Sequence, residues 1–418
     1  MKKIFTLLLI TITMQAYAQW DGAGYYRVHN VANNKPYSGQ RYLSVKGGKS
    51  DVSINNTTPS AFYECIKMVG LLSTDDYITD PSTIVYINSL SSATFYCQGM
   101  NTKSITSFYY TVEETGVEDN NITTYQIYKK ILFYTFYLQD YFGCDIGKNA
   151  GSSNVYARWW LEPLKEGSDY YFAVKPVNES TIDPEGYYWT TLVCDFPCKI
   201  PTDGGVEGAY TINEITTVGE TNKAIPTKVY AQGETIPAGT PVMLRLSSKE
   251  SADCKLIPTG SVGNKTSFPL TNGLLKGNYF GPYENYFAEK KDSIKTYDAV
   301  NSNSKSLSTT NDQETMRVLG TNSEGTIGFF KYKGYSDEFN KMNGNKCWLD
   351  ISSLSGAKAS VIEIDFENMI DETTGISSVN DDSRKVAREG IYDLSGRRIE
   401  KPTTKGIYII NGRKVVIK

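Results

Sequence analysis

The chain of 418 residues contains a single histidine, His29. That scarcity limits the chemistry on offer. A Ser-His-Asp or Cys-His nucleophile system needs a histidine in a recognisable setting, and His29 sits in the plain run "GYYRVHN". No HExxH, P-loop, nucleophile elbow or dinucleotide fingerprint occurs either. Charge of one sign is also lacking. The 43 Lys and Arg against 46 Asp and Glu leave a net charge of −3, which carries no footprint of nucleic-acid binding. Beyond the first residues there is no long unbroken apolar run, so no transmembrane helix is expected. Cysteine is sparse and odd in number, at seven. No Cys/His cluster has metal-ligand spacing, and nothing calls for a cofactor.

The residues that are plentiful favour β structure. Tyrosine is present 31 times and glycine 35 times, beside many Thr, Ser and Asn. Aromatic and β-branched side chains fit pleated surfaces, and Gly, Asn and Ser supply turns. An all-β fold is therefore expected. The N-terminus, "MKKIFTLLLITITMQAYAQW", has two lysines, an apolar stretch and a small-x-small pattern at Ala16-Tyr17-Ala18. This pattern is that of a secretory signal peptide over 1–18, cut before Gln19. The chain is thus expected to cross the inner membrane and to work at the cell surface or outside, and otherwise in the periplasm.

Residues 19–166 carry three similar stretches, "GQRYLSV", "ATFYCQG" and "YTFYLQD". Aligning Tyr42, Tyr96 and Tyr137 gives intervals of 54 and 41 residues. Three copies at that spacing point to a β-trefoil-like domain, and the opening resembles the first strands of ricin-type trefoils. The trefoil sugar-binding Gln-x-Trp signature is absent. In "NVYARWWLEPL", alternation puts Trp159 in the core. It sets Trp160 between Arg158 and Glu162, where the ring stacks on a sugar or packs against the next domain.

Residues 167–367 read as an antiparallel β-sandwich: "GYYWTTLVCDFPCKI", "GAYTINEI", "TPVMLRL", "TIGFFKYKG" and "ASVIEIDF" are short strands between Gly, Pro and Asn. Period-2 alternation puts Cys194 and Cys198 on one face as buried free thiols. Four strand positions are roughly 13 Å, too far for a bond between them. Tyr187, Tyr188 and Trp189 join Trp160 as candidate ligand contacts. Glu363, Asp365 and Glu367 share one strand face, read as solvated rather than as a catalytic pair or a Ca²⁺ site. The block resembles an uncharacterised sandwich module of secreted Bacteroidota proteins, which implies architecture and habitat only. The polar stretch 288–316 reads as an exposed excursion. Its Asp292-Ser293-Ile294 resembles the short sequence O-glycosylated in Bacteroidota envelopes, which would make Ser293 the acceptor.

Residues 368–389 read as a polar linker, and 390–418 as a small β tail. Asn411-Gly412 is the preferred pair for a two-residue type I′ turn. It sets Ile410 against Arg413, Tyr408 against Val415 and Gly406 against Ile417 on one face, with Ile409 against Lys414 and Ile407 against Val416 on the other. "GIYDLSGRRI…KGIYIINGRKVVIK" resembles the C-terminal sorting signal of type IX secretion, in shortened form. Gly396, Gly406, Tyr408, Asn411, Gly412, Lys414 and Lys418 carry the likeness, which implies the secretion machinery as a partner. The whole is expected to be a secreted or surface-displayed binding or adhesion protein with a glycan or protein ligand. A glycan hydrolase with an unrecognised carboxylate pair and a structural envelope component stand as alternatives.

Overall fold

The computed structural model describes residues 19–32, 41–44, 67–70, 76–97, 100–101, 110–119, 121–131, 133–139, 145–148, 154–260, 270–279, 311–331, 342, 344–354, 359–373, 391–392, 398–399, 406–410 and 413–417. It forms two compact units, Met1–Asp371 and Glu372–Lys418. The fold is all-β, as the composition implies. Among the described residues the only helical pieces are short 3-10 turns such as Asp76–Thr79 and Pro81–Thr83.

The first unit opens with an eleven-stranded sheet. Its pivot is the strand Gly24–Asn30, which pairs antiparallel with Trp159–Pro163 on one side and with Ile84–Ile87 and Arg41–Ser44 on the other. Tyr42, Tyr96 and Tyr137 all lie on strands of this sheet, namely Arg41–Ser44, Phe95–Cys97 and Tyr134–Gln139. Alternation along the pivot serves two cores. Tyr26 and Val28 pack with Phe95, Tyr125, Trp159 and Leu161. Tyr25 faces the other way, into a core with Ile84, Leu164, Phe172, Phe196 and Leu256. The expected boundary at 166–167 thus falls inside a single unit, because that second core draws side chains from both sides of it.

A second eleven-stranded sheet runs in the order Tyr188–Leu192, Val242–Leu246, Val206–Val218, Thr221–Ala231, Val361–Ile364, Ile327–Lys331, Met316–Thr321, Lys346–Asp350, Leu275–Asn278, Leu270–Asn272. A small four-stranded sheet, Phe172–Ala173, Lys255–Pro258, Cys198–Lys199 and Thr235–Ile236, lies beside the second core. Strand Val242–Leu246 explains why "VMLRL" is so apolar. Val242, Leu244 and Leu246 enter the core that contains Tyr25, and Met243 enters a third core with Trp189, Phe329 and Ile362. A strand buried on both faces reads as a continuous apolar run rather than an alternation. Not every pairing is antiparallel: Thr221–Ala231 pairs in parallel with Val361–Ile364 and with Ile370–Asp371. The expected linker therefore begins later than 368, since Ile370–Asp371 adds a short strand to the sheet and Met369 packs on the third core.

Glycine fixes two turns in this sheet. Gly219, with φ of 63°, opens the two-residue loop joining Val218 to Thr221. Gly273, with φ of 59°, closes the hairpin Leu270–Leu275 while the Leu274 N–H donates to the Ile212 carbonyl at 2.7 Å. A Cβ at Gly273 would stand 2.5 Å from that same carbonyl oxygen.

In the second unit the tail strands Gly406–Ile410 and Arg413–Ile417 pair in the register read from the sequence, Gly406↔Ile417 through Ile410↔Arg413, with Ile409↔Lys414 among them. Ile391–Tyr392 adds to Gly406–Ile410 and carries Arg398–Ile399 on its far side, giving four strands among the described residues of the tail. Tyr408 is buried. Gly396, Asn411, Gly412 and Lys418, the cleavage-site Ala16 and Ala18, and Ser293 lie outside the described residues. Gln19 is described and exposed.

Because Gly273 holds a left-handed φ against a backbone atom, Gly273→Ala is expected to destabilise the first unit by about 1–3 kcal/mol. A urea titration of both proteins checks this, and an unchanged midpoint would contradict it.

Candidate binding groove

The side chains expected to contact ligand do not form one surface. Trp160 is 8% exposed and packs with Val31, its ring edge-on to His29. Both faces of Trp159–Pro163 are buried, so the alternation that would have left Trp160 in solvent does not hold there. Trp189 is fully buried, and its Nε1 donates to Asp183 Oδ2 at 3.0 Å. Tyr187 and Trp189 do come together with Arg245, whose guanidinium lies 3.8 Å from the Tyr187 ring centroid, while Tyr188 packs on the other face of its strand against the core that contains Tyr25. Arg245 also donates to Asp183 at 2.8 Å and to Glu185 at 2.6 Å. This cluster clamps the turn at 183–187 to the sheet edge and leaves Tyr187 and Tyr188 half-buried. Of the three acidic candidates, Asp365 is buried and accepts from Asn368 N and Nδ2. It builds a turn instead of facing solvent. Glu363 is half-buried and Glu367 exposed.

The only histidine lies in the opening sheet. His29 Nδ1 sits 3.0 Å from Glu162 Oε1, with both side chains buried and Tyr42 stacked on the imidazole at 4.4 Å. Next to it is Arg27, wholly buried, which donates to Thr83 Oγ1, to the Ile78 carbonyl and to the Tyr171 carbonyl. Burial pulls the Arg27 pKa down, and Glu162 is the largest force holding it up. A buried charge is tolerated only when it is hydrogen-bonded and offset by opposite charge; the three acceptors supply the first and the field of Glu162 the second.

Arg27 also fixes the backbone at the floor of an open groove of about 640 Å³. Tyr170, Tyr171 and Phe172 form one side of it, the turn 164–168 a second, and Gly204, Gly205, Ser247, Ser248, Asp253 and Lys255 the rest. Lys255 Nζ lies 4.2 Å from the Tyr171 ring centroid. Gly205 makes the close approach that joins two walls. Its N–H donates to the Asp253 carbonyl and its own carbonyl accepts from Ser247 N, both at 2.8 Å, and a Cβ there would meet Asp253 O at 3.0 Å. Under this junction the Cys254 thiol donates to Ser248 O at 3.3 Å. Burial pushes its pKa up to about 11, so it remains a thiol donor at neutral pH.

The groove holds hydroxyls, carboxylates, the ammonium groups of Lys165 and Lys255 and three aromatic side chains. Two of its three carboxylates have side-chain partners: Ser248 Oγ donates to Asp253 at 2.7 Å, and Lys199 Nζ pairs with Glu166 at 3.1 Å. The sequence reading missed this site because its walls come from segments some eighty residues apart. The adjacent tyrosines of "DYYF" were the available signal. Among the described residues no group of three or more His, Cys, Asp or Glu could hold a metal ion, and no helix is long and apolar enough to cross a membrane. Comparison of the chain with protein-family models, with curated proteins and with solved structures gives no match.

Raised acid pKa values set the alkaline limit of the fold. Cys254 ionises near 11 when folded against an ordinary 9.0, and Tyr26 and Tyr210 are pushed up to about 12 against 10.0, burial being the first cause for each. Their folded forms retain protons that the unfolded chain loses, so stability falls as pH rises above about 9. Urea midpoints measured from pH 7 to about 10.5 are expected to decline through the upper part of that range. A flat profile would contradict it.

Proposed function

We propose that this is a non-enzymatic binding protein that works outside the cell, secreted or surface-displayed, and that the groove beside Tyr171 takes a glycan. The observation that carries the reading is the lining itself. An aromatic ring capped by Lys255 stands among Ser247, Ser248, Asp203 and Asp253 in an open trough. Sugars offer apolar ring faces to aromatics and hydroxyls to polar groups, and pockets of this size bury small ligands. A glycan hydrolase needs two carboxylates set across a bond. In this groove Asp253 and Glu166 are already tied to Ser248 and Lys199, which favours retention over turnover. The leader over 1–18 supports export. The tail's resemblance to a type IX sorting signal supports a Bacteroidota source and a role for Glu372–Lys418, a compact unit distinct from the first, as an address recognised by secretion machinery.

On a glycan array, Tyr171→Ala is expected to weaken binding roughly threefold to tenfold, the worth of one aromatic contact. The Tyr171 backbone carbonyl that Arg27 holds is untouched by the change. Binding to protein ligands only, or release of free sugar from a polysaccharide, would replace the glycan-binding reading. A chain ending at Asp371 is expected to remain folded and to lose its extracellular location. Fractionation of cells expressing both forms tests this, and identical distribution would remove the sorting role.

A further inference from the structure

The groove beside Tyr171 does not end at the turn 164–168. A smaller cavity of about 220 Å³ adjoins it, lined by Tyr25, Tyr86, Pro163, Thr259 and Gly260 among others. Leu164, Lys165 and Pro258 belong to the walls of both. Each shared wall is one continuous stretch of chain. One runs from Ser168 back through Lys165 to Pro163, and the other from Lys255 through Pro258 to Gly260. The strand Lys255–Pro258 alone covers roughly 10 Å, and Thr259 and Gly260 carry the wall beyond it. That is longer than one sugar ring.

Backbone contacts hold both walls. Leu164 N–H donates to the Tyr25 carbonyl at 2.8 Å, and Thr259 N–H donates to the Pro197 carbonyl at 3.0 Å. Pro258 also pairs with Cys198 in the small sheet. The cleft is thus shaped before a ligand enters it, which lowers the cost of ordering on binding.

The two cavities offer the same kind of surface. The larger sets Tyr171 beside the hydroxyls of Ser247 and Ser248. The smaller sets the half-buried Tyr86, its ring edge-on to Tyr25 at 5.1 Å, beside Thr259 and the ion pair of Lys165 with Asp21. Both members of that pair stand largely in solvent, so it is weak and its polar atoms remain open to sugar hydroxyls. An aromatic ring with polar groups beside it, repeated along one cleft, suits a chain of like units better than a single sugar.

Charge narrows the class. Lys165 pairs with Asp21, and Glu166 with Lys199. With those pairs cancelling, the lining leaves Asp203 and Asp253 against Lys255. A polymer with a carboxylate on every unit would meet more like charge than opposite charge, which disfavours it.

We propose that the groove and the smaller cavity are two subsites of one cleft, and that the cleft takes a neutral oligosaccharide spanning both. The proposal rests on the glycan reading of the groove and adds its ligand's length and charge.

The test is titration calorimetry of the full chain with oligomers of two to six units from cellulose, xylan, mannan and chitin, and with oligogalacturonides of the same lengths. One neutral series is expected to gain roughly threefold to tenfold in affinity once its chain reaches the second subsite, the worth of one further aromatic contact. Oligogalacturonides are expected to bind more weakly than that series at every length. Tyr86→Ala is expected to erase the gain with length and leave the affinity of the shortest oligomer unchanged, whereas Tyr171→Ala lowers both. General damage to the fold would weaken every length alike. If Tyr86→Ala does not fold, the length series on the unaltered chain decides alone. Affinity independent of length, or tighter binding of oligogalacturonides, overturns the proposal and leaves the groove a glycan site. No binding to any series overturns it as well, and a blank glycan array beside that result removes the glycan reading too.

Discussion

The architecture of the first unit depends on burying Arg27. One guanidinium, out of water, reaches the 3-10 turns at Ile78 and Thr83, the backbone of Tyr171 and the charge of Glu162. A buried charge that loses a hydrogen-bond acceptor is left undersatisfied, at a cost of about 1.5–3 kcal/mol for each bond lost. Each of these contacts is therefore obligatory once the strand Gly24–Asn30 is covered on both faces. The opening strand, the closing strand Trp159–Pro163 and the wall of the groove are held at one point. The His29–Glu162 pair and its stack on Tyr42 extend this point along the same strand.

A strand sandwiched between two cores places neighbouring residues in different packing environments. Tyr25 and Tyr26 are consecutive, yet one joins Phe196 and Leu256 and the other joins Trp159 and Phe95. The same division occurs at Met243 and Leu244. Because the Tyr25 core spans residues 25 to 256, the groove alongside it stands on a packed base, while its rim of Ser248, Asp253 and Lys255 stays open. A rigid floor with an open polar rim suits retention of an extended ligand, since little ordering is needed on binding.

Local pattern was informative where a short turn or simple alternation decides the outcome. The tail register from Gly406 to Ile417 was legible because a two-residue turn and period-2 alternation leave one pairing. Trp159 in the core and buried thiols at Cys194 and Cys198 were legible for the same reason. Alternation failed where both faces are covered. Asp365 was expected in solvent and is buried, and Trp160 takes the packed of its two expected environments, with Tyr170 of the following segment against it.

By itself, the sequence determined the all-β class, the turn and pairing of its C-terminal hairpin, and the lack of a motif-borne catalytic histidine. These depend on residue type and short-range spacing, which are fully present in one dimension. Only the tertiary structure decided that residues 19–166 share a core with the segment that follows and that Tyr171 faces Lys255. Those outcomes depend on contacts between segments tens to hundreds of residues apart. They are set by the burial of Arg27 and Tyr25, and no local pattern in the chain encodes which distant partner will cover them.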